Sequence, residues 1–95
     1  MTDEQILAFL RCPDKAVVDL AVEMANLTWK EELAVTECGR KYKTQEKAAE
    51  DNGRSPDAMQ RWYRSGMKKL STAWAGSWWI KALADKAIDM KQRTE

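Results

Sequence analysis

The sequence predicts an all-α chain, with five to six short helices around one core, and three observations carry that expectation. No run of alternating β-branched residues is long enough for a strand. Apolar residues recur at three- and four-residue spacing, and short polar residues stand where helices should begin.

The first helix begins after Thr2, which has capping-box spacing with Gln5, and Ile6, Leu7, Phe9 and Leu10 give it an apolar face. Pro13 or Asp14 opens the second, whose apolar set is Val17, Val18, Leu20, Ala21 and Met24. Thr28 and Glu31 make another capping-box pair, with Leu27 before them as a hydrophobic staple. The third helix carries Trp29, Leu33, Ala34 and Val35, and Gly39 is its expected stop. Residues 40–43, RKYK, form a basic connection, after which Thr44 caps a short fourth helix, QEKAAEDN, ending at Gly53. Ser55 caps the fifth helix, and Pro56 suits its first position because an N–H there would lack an intrahelical partner. That helix is expected to reach at least Leu70 and to run towards Trp74 before Gly76 weakens it.

Ser77 is the expected cap of the last helix, WWIKALADKAIDMKQ, whose apolar residues are Trp78, Ile80, Leu83, Ala84, Ala87 and Ile88; the closing KQRTE is expected to fray. Trp74 and Trp78, one helical turn apart, should pack together on the N-terminal helices. Trp79 points about 100° away, at the core rim or in an exposed contact, and at least two of the three belong in the core. No repeat, low-complexity tract or long linker divides the chain. The expected organisation is a single domain over 1–95, with a helical scaffold at 1–43, a helix-turn-helix at 44–70 and a Trp-rich helix at 71–95.

Ninety-five residues leave room for one modest core, much of it supplied by five Trp. No stretch approaches the ~20 apolar residues of a membrane span, and the acidic TDEQ after Met1 is unlike a secretory leader. A cytoplasmic protein with no membrane partner is expected. Cys12 and Cys38, without any His, cannot build an ordinary zinc site and are expected as buried or idle thiols. With no activated nucleophile, Gly-rich phosphate loop or metal-spaced acidic cluster, neither enzyme activity, cofactor nor metal is expected. The net charge of +1 hides an asymmetry: residues 1–39 hold three basic and eight acidic residues, whereas residues 40–70 hold nine basic and four acidic ones. A basic segment joined to an acidic one suggests a polyanion-binding part on a different kind of surface.

The segment AAEDNGRSPDAMQRWYR, residues 48–64, concentrates these signals. At 100° per residue, Met59, Trp62, Tyr63, Gly66 and Leu70 gather on one side of the fifth helix, and Asp57, Gln60, Arg61, Arg64 and Lys68 on the other. Ala49 four residues before Gly53, with Met59 and Trp62 six and nine after it, suits a helix-turn-helix: a small residue at the crossing, a turn, and two anchors. The outer face has types suited to a major groove, Arg for guanine, Gln for adenine and Lys for phosphate. Lys41, Lys43, Arg54, Ser55, Lys68 and Lys69 are the phosphate candidates, and Gln60, Arg61, Arg64 and Asp57 the base-reading ones.

Residues 27–70, LTWKEELAVTECGRKYKTQEKAAEDNGRSPDAMQRWYRSGMKKL, resemble the fourth region of sigma-70-type transcription factors. They are also similar to small phage regulators sharing that helix-turn-helix, such as ArpU- and RinA-like late-gene activators. The matching pieces are LT with Glu31, KTQEKAAEDNG as the supporting helix, Ser55 with an apolar residue four later, and RSGMKKL at the close. Asn52 and Arg54 stand where that family carries aliphatic residues. The resemblance implies promoter-DNA binding through Ser55, Asp57, Gln60, Arg61 and Arg64, with RNA polymerase as a further contact; an exposed Trp of the C-terminal cluster would suit a polymerase or homodimer surface. The expected function is therefore a phage or prophage transcriptional regulator binding double-stranded DNA. The alternative is a phage DNA-packaging or assembly adaptor that uses the basic face and an exposed Trp for protein contacts.

Overall fold

The structure, a computed structural model, describes residues 1–94, with side chains through Gln92. The chain runs through α1 (Asp3–Leu10), α2 (Lys15–Met24), α3 (Trp29–Ala34), a π-helical segment (Val35–Arg40), α4 (Gln45–Asp51), α5 (Pro56–Trp74) and α6 (Trp78–Thr94). Among the described residues there is no strand, so the all-α class holds. The KQRTE end is helical through Thr94, and Glu95 lies outside the described residues.

Five helices begin where a short polar side chain replaces a missing intrahelical acceptor. Thr2, Asp14, Thr28, Thr44 and Ser55 each accept from the backbone N–H three residues on, at 3.1–3.3 Å. The Thr2–Gln5 and Thr28–Glu31 pairs complete reciprocal boxes. Ser77 differs from expectation: its N–H donates to the Trp74 carbonyl at 2.9 Å, closing the last turn of α5, and its buried hydroxyl has no hydrogen-bond partner.

Two buried clusters meet along α5. The larger joins Ile6, Phe9 and Leu10 of α1, Val18, Ala21 and Val22 of α2, Val35 of the π-helical segment, Met67, Leu70 and Trp74 of α5, and Ile80 and Ala84 of α6. The smaller joins Ala34, Cys38, Ala48, Ala49 and Met59. Half-buried Tyr63 packs against both. Phe9 lies between two tryptophans, edge-on to Trp74 at 5.0 Å and to Trp79 at 6.1 Å between ring centroids. Trp74 Nε1 donates to the Ala21 carbonyl at 2.9 Å, filling an acceptor in the last turn of α2, where the helix runs out of its own donors.

Three local expectations are corrected. Trp78 does not pack with Trp74: it is 79% exposed, and Trp79 takes the inward place. The break at residues 75–77 separates α5 from α6, so helical phase is not carried from Trp74 to Trp78. Leu20, Met24 and Leu83 are likewise exposed, because Val22 completes the buried face of α2 and Ile80 and Ala84 that of α6. Gly39 does not stop a helix. It lies within the π-helical segment, and a Cβ there would meet Leu10 Cδ1 at 3.1 Å, so the glycine permits close approach of α1. The reversal falls instead at Tyr42 (φ 61°), whose ring is covered by the Arg11 guanidinium at 3.8 Å.

Candidate nucleic-acid interface

The α4–α5 corner is built from backbone chemistry outward. Gly53 has φ 64°, a left-handed conformation that costs glycine little. It lets the N–H of Gly53 donate to Glu50 O (3.3 Å) and that of Arg54 to Ala49 O (2.8 Å), the paired bonds that close a helix C-terminus. Asn52 Nδ2 donates to Ala48 O (2.8 Å) and to Glu37 Oε1 (2.9 Å), tying the turn to the π-helical segment. The Asn52 bond, with Lys43 and Lys41 nearby, holds the buried Glu37 carboxyl below its ordinary range although burial opposes this.

Four residues expected to form the corner's core are brought together in part. Ala49 and Met59 are fully buried in one cluster, Gly53 makes the turn, and Trp62 is a half-buried flank. Beyond the corner, α5 rests on α3 through Gly66, where an added Cβ would lie 2.7 Å from Val35 Cγ2. Either side of that contact, Ser65 Oγ donates to Glu31 Oε2 and Lys69 Nζ to Glu31 Oε1 (2.7 Å). Glu31 therefore caps α3 and also clamps α5, a second role not anticipated from sequence. Ser65 and Lys69 share one face of α5 at helical spacing, but nothing local in the sequence links them to Glu31.

Asp57, Gln60, Arg61, Arg64 and Lys68 all lie exposed on the outer face of α5. The basic residues divide sharply. Lys43 pairs with Asp51 (2.9 Å) and Glu37 (3.2 Å), Lys41 with Glu37 (3.3 Å), Arg40 with Asp19 (2.6 Å), Lys47 with Asp51 (3.1 Å) and Lys69 with Glu31. Lys41, Lys43 and Lys69, expected at phosphate, are thus engaged with carboxylates of the fold. Arg61, Arg64 and Lys68 have no ion pair among the described residues. Gln60, Arg64 and Lys68 also line an open groove of about 460 Å³ with Gln45 of α4, Tyr63 and Thr72. Gln45, next to the cap Thr44, had no sequence signal of its own beyond that adjacency.

Arg54 and Ser55 stand exposed at the start of α5. Arg54 leans over the rings of Trp29 and Trp62, as does Lys30. Elsewhere, burial pushes the Cys12 and Cys38 thiols above their ordinary value, which favours the neutral form at neutral pH. Among the described residues no group of three His, Cys, Asp or Glu side chains is placed to hold a metal, and no helix is long and apolar enough to cross a membrane. No protein-family model, curated protein or solved structure matches the chain.

Proposed function

We propose that the chain is a sequence-specific DNA-binding regulator of the phage type that lays α5 in the major groove of duplex DNA. Gln60, Arg61 and Arg64 face base edges, Asp57 accepts from a cytosine amino group, and Ser55 with the first amides of α5 meets a phosphate. Arg54 and Lys68 supply further backbone contacts. One observation carries this: Arg61, Arg64 and Lys68, free of carboxylate partners among the described residues, share the outer face of α5. The likeness of residues 27–70 to sigma-type helix-turn-helix proteins supports the same assignment.

The test is an Arg61→Ala, Arg64→Ala double variant. Both side chains are exposed and have no ion pair among the described residues, so the unfolding midpoint should stay within the small range of surface substitutions. Each lost bidentate contact should cost about 1–3 kcal/mol of discrimination, which is roughly 5- to 150-fold in affinity for the preferred duplex. Unchanged affinity at moderate salt would overturn the proposal.

Trp78, 79% exposed at the first position of α6, favours a second function as a protein-interaction or DNA-packaging adaptor. Salt titration with random duplex, alongside light scattering, separates the two. Steep salt dependence from a monomer or dimer supports the regulator, and a large oligomer without DNA binding supports the adaptor.

A further inference from the structure

Trp29 at the start of α3 and Trp62 in α5 place their ring centroids 6.3 Å apart, inclined by 56°. Lys30 Nζ lies 5.6 and 5.5 Å from these two centroids, and Arg54 Cζ lies 5.5 and 5.9 Å from them. Two positive charges from different parts of the chain are therefore gathered over one pair of rings. Neither has an ion pair among the described residues. The carboxylate of Glu31, next to Lys30 in sequence, is turned inward to Ser65 and Lys69. Glu32 lies about 200° round α3 from Lys30.

Aromatic faces attract and orient cations but do not neutralise them. Converging guanidinium and ammonium groups suit an oxyanion, which both bond through short charge-assisted hydrogen bonds. Solvent reaches the cluster, since Lys30 and Arg54 are exposed and Trp29 is 59% exposed. Its location selects the anion. Trp62 follows Arg61 and lies about 100° round α5 from it, so the cluster borders the face that carries Arg61, Arg64 and Lys68. The groove with Gln45 lies on the opposite border, beside Gln60.

We infer that Lys30 and Arg54, oriented by Trp29 and Trp62, form a phosphate clamp for the nucleic-acid backbone flanking the groove that α5 enters. The clamp rests on the duplex-DNA function proposed above, and it brings α3 into that interface. It holds the duplex through the backbone and so contributes equally to every sequence.

The experiment compares wild type with a Lys30→Gln, Arg54→Gln double variant and with Lys30→Gln alone. Binding is measured from about 50 to 200 mM salt, on random duplex and on a duplex selected from a random pool. Equal urea midpoints verify the fold. Each phosphate contact contributes about 0.9 to the slope of log K against log salt. The double variant should therefore be shallower by about 2, and the single variant by about 1, on both duplexes, with their affinity ratio unchanged. A wild-type slope in the double variant would overturn the clamp and leave the assignment of α5 standing. A changed ratio at unchanged slope would overturn it too, because the cluster would then read bases. A wild type that binds neither duplex overturns the clamp together with the DNA-binding function.

Discussion

A methyl group added at Gly66 would lie 2.7 Å from Val35 Cγ2 and 3.3 Å from the Glu31 carbonyl oxygen. The valine is buried and the carbonyl is backbone, so α5 must move off α3 to make room. At Gly53 nothing lies within 4 Å, and the difficulty is instead the φ of 64°. The two sites should therefore respond differently. Gly66→Ala is expected to cost about 1–3 kcal/mol through overpacking, and Gly53→Ala only about 1 kcal/mol through backbone strain. Urea unfolding of the two variants tests this, and a larger loss at Gly53 would contradict it. Placing Gly66 in the packed stripe needed only helical periodicity. Gly39 is not a stop although its position in the sequence suggests one: close approach and chain reversal both select glycine, and only the position of α1 separates them.

At the level of elements, the α4–α5 corner depends on one polar side chain in its turn. Asn52 donates at once to Ala48 O and to Oε1 of the buried Glu37 carboxylate. Asn52→Leu should destabilise the chain by about 1–3 kcal/mol by leaving Glu37 short of a donor. Thermal or urea unfolding measures that loss, and a stabilised variant would show that apolar packing outweighs the hydrogen bonds. Helix starts were legible because a cap and its target N–H are three residues apart, as at Thr44 and Ser55. The outward face of α5 was legible for the same reason of short range. The Lys41–Glu37 pair is also local, four residues apart, whereas the pairing of Lys43 was less legible, since it depends on where the chain folds Asp51 beside Glu37. The inward and outward places of Trp78 and Trp79 depended on a helix break whose geometry local spacing does not set.

For the molecule as a whole, Glu31 joins the first half of the chain to the second. Burial alone would raise its pKa, but hydrogen bonds from Lys69, Ser65 and Thr28 outweigh that and hold it at about 2. An unfolded Glu titrates near about 4.3, so on acidification the unfolded chain takes up this proton first. The stabilisation is complete above about pH 5 and is lost as pH falls from about 4.3 through the folded value of about 2. Glu37 is also held low and acts in the same direction. Urea titrations at a series of pH values should show wild type losing more stability than Glu31→Gln between about pH 5 and 2, by up to about 3 kcal/mol. Parallel curves for the two proteins would dismiss the clamp between α3 and α5. Ser65 and Lys69 are 34 and 38 residues from Glu31, a separation that no local pattern spans.

The five tryptophans occupy a graded set of surroundings, from Trp74, wholly enclosed and bonded to a backbone carbonyl, to Trp78, 79% exposed. Spectroscopically this makes the chain a reporter with separable channels. An aqueous quencher such as iodide reaches Trp78 and Trp29 but not Trp74, whose emission follows unfolding alone. A ligand at the α3–α5 edge shields Trp29 and Trp62 and leaves Trp78 as quenchable as before, whereas a protein docking on α6 does the reverse. Light emitted by the unlabelled chain thus distinguishes which of its surfaces is occupied.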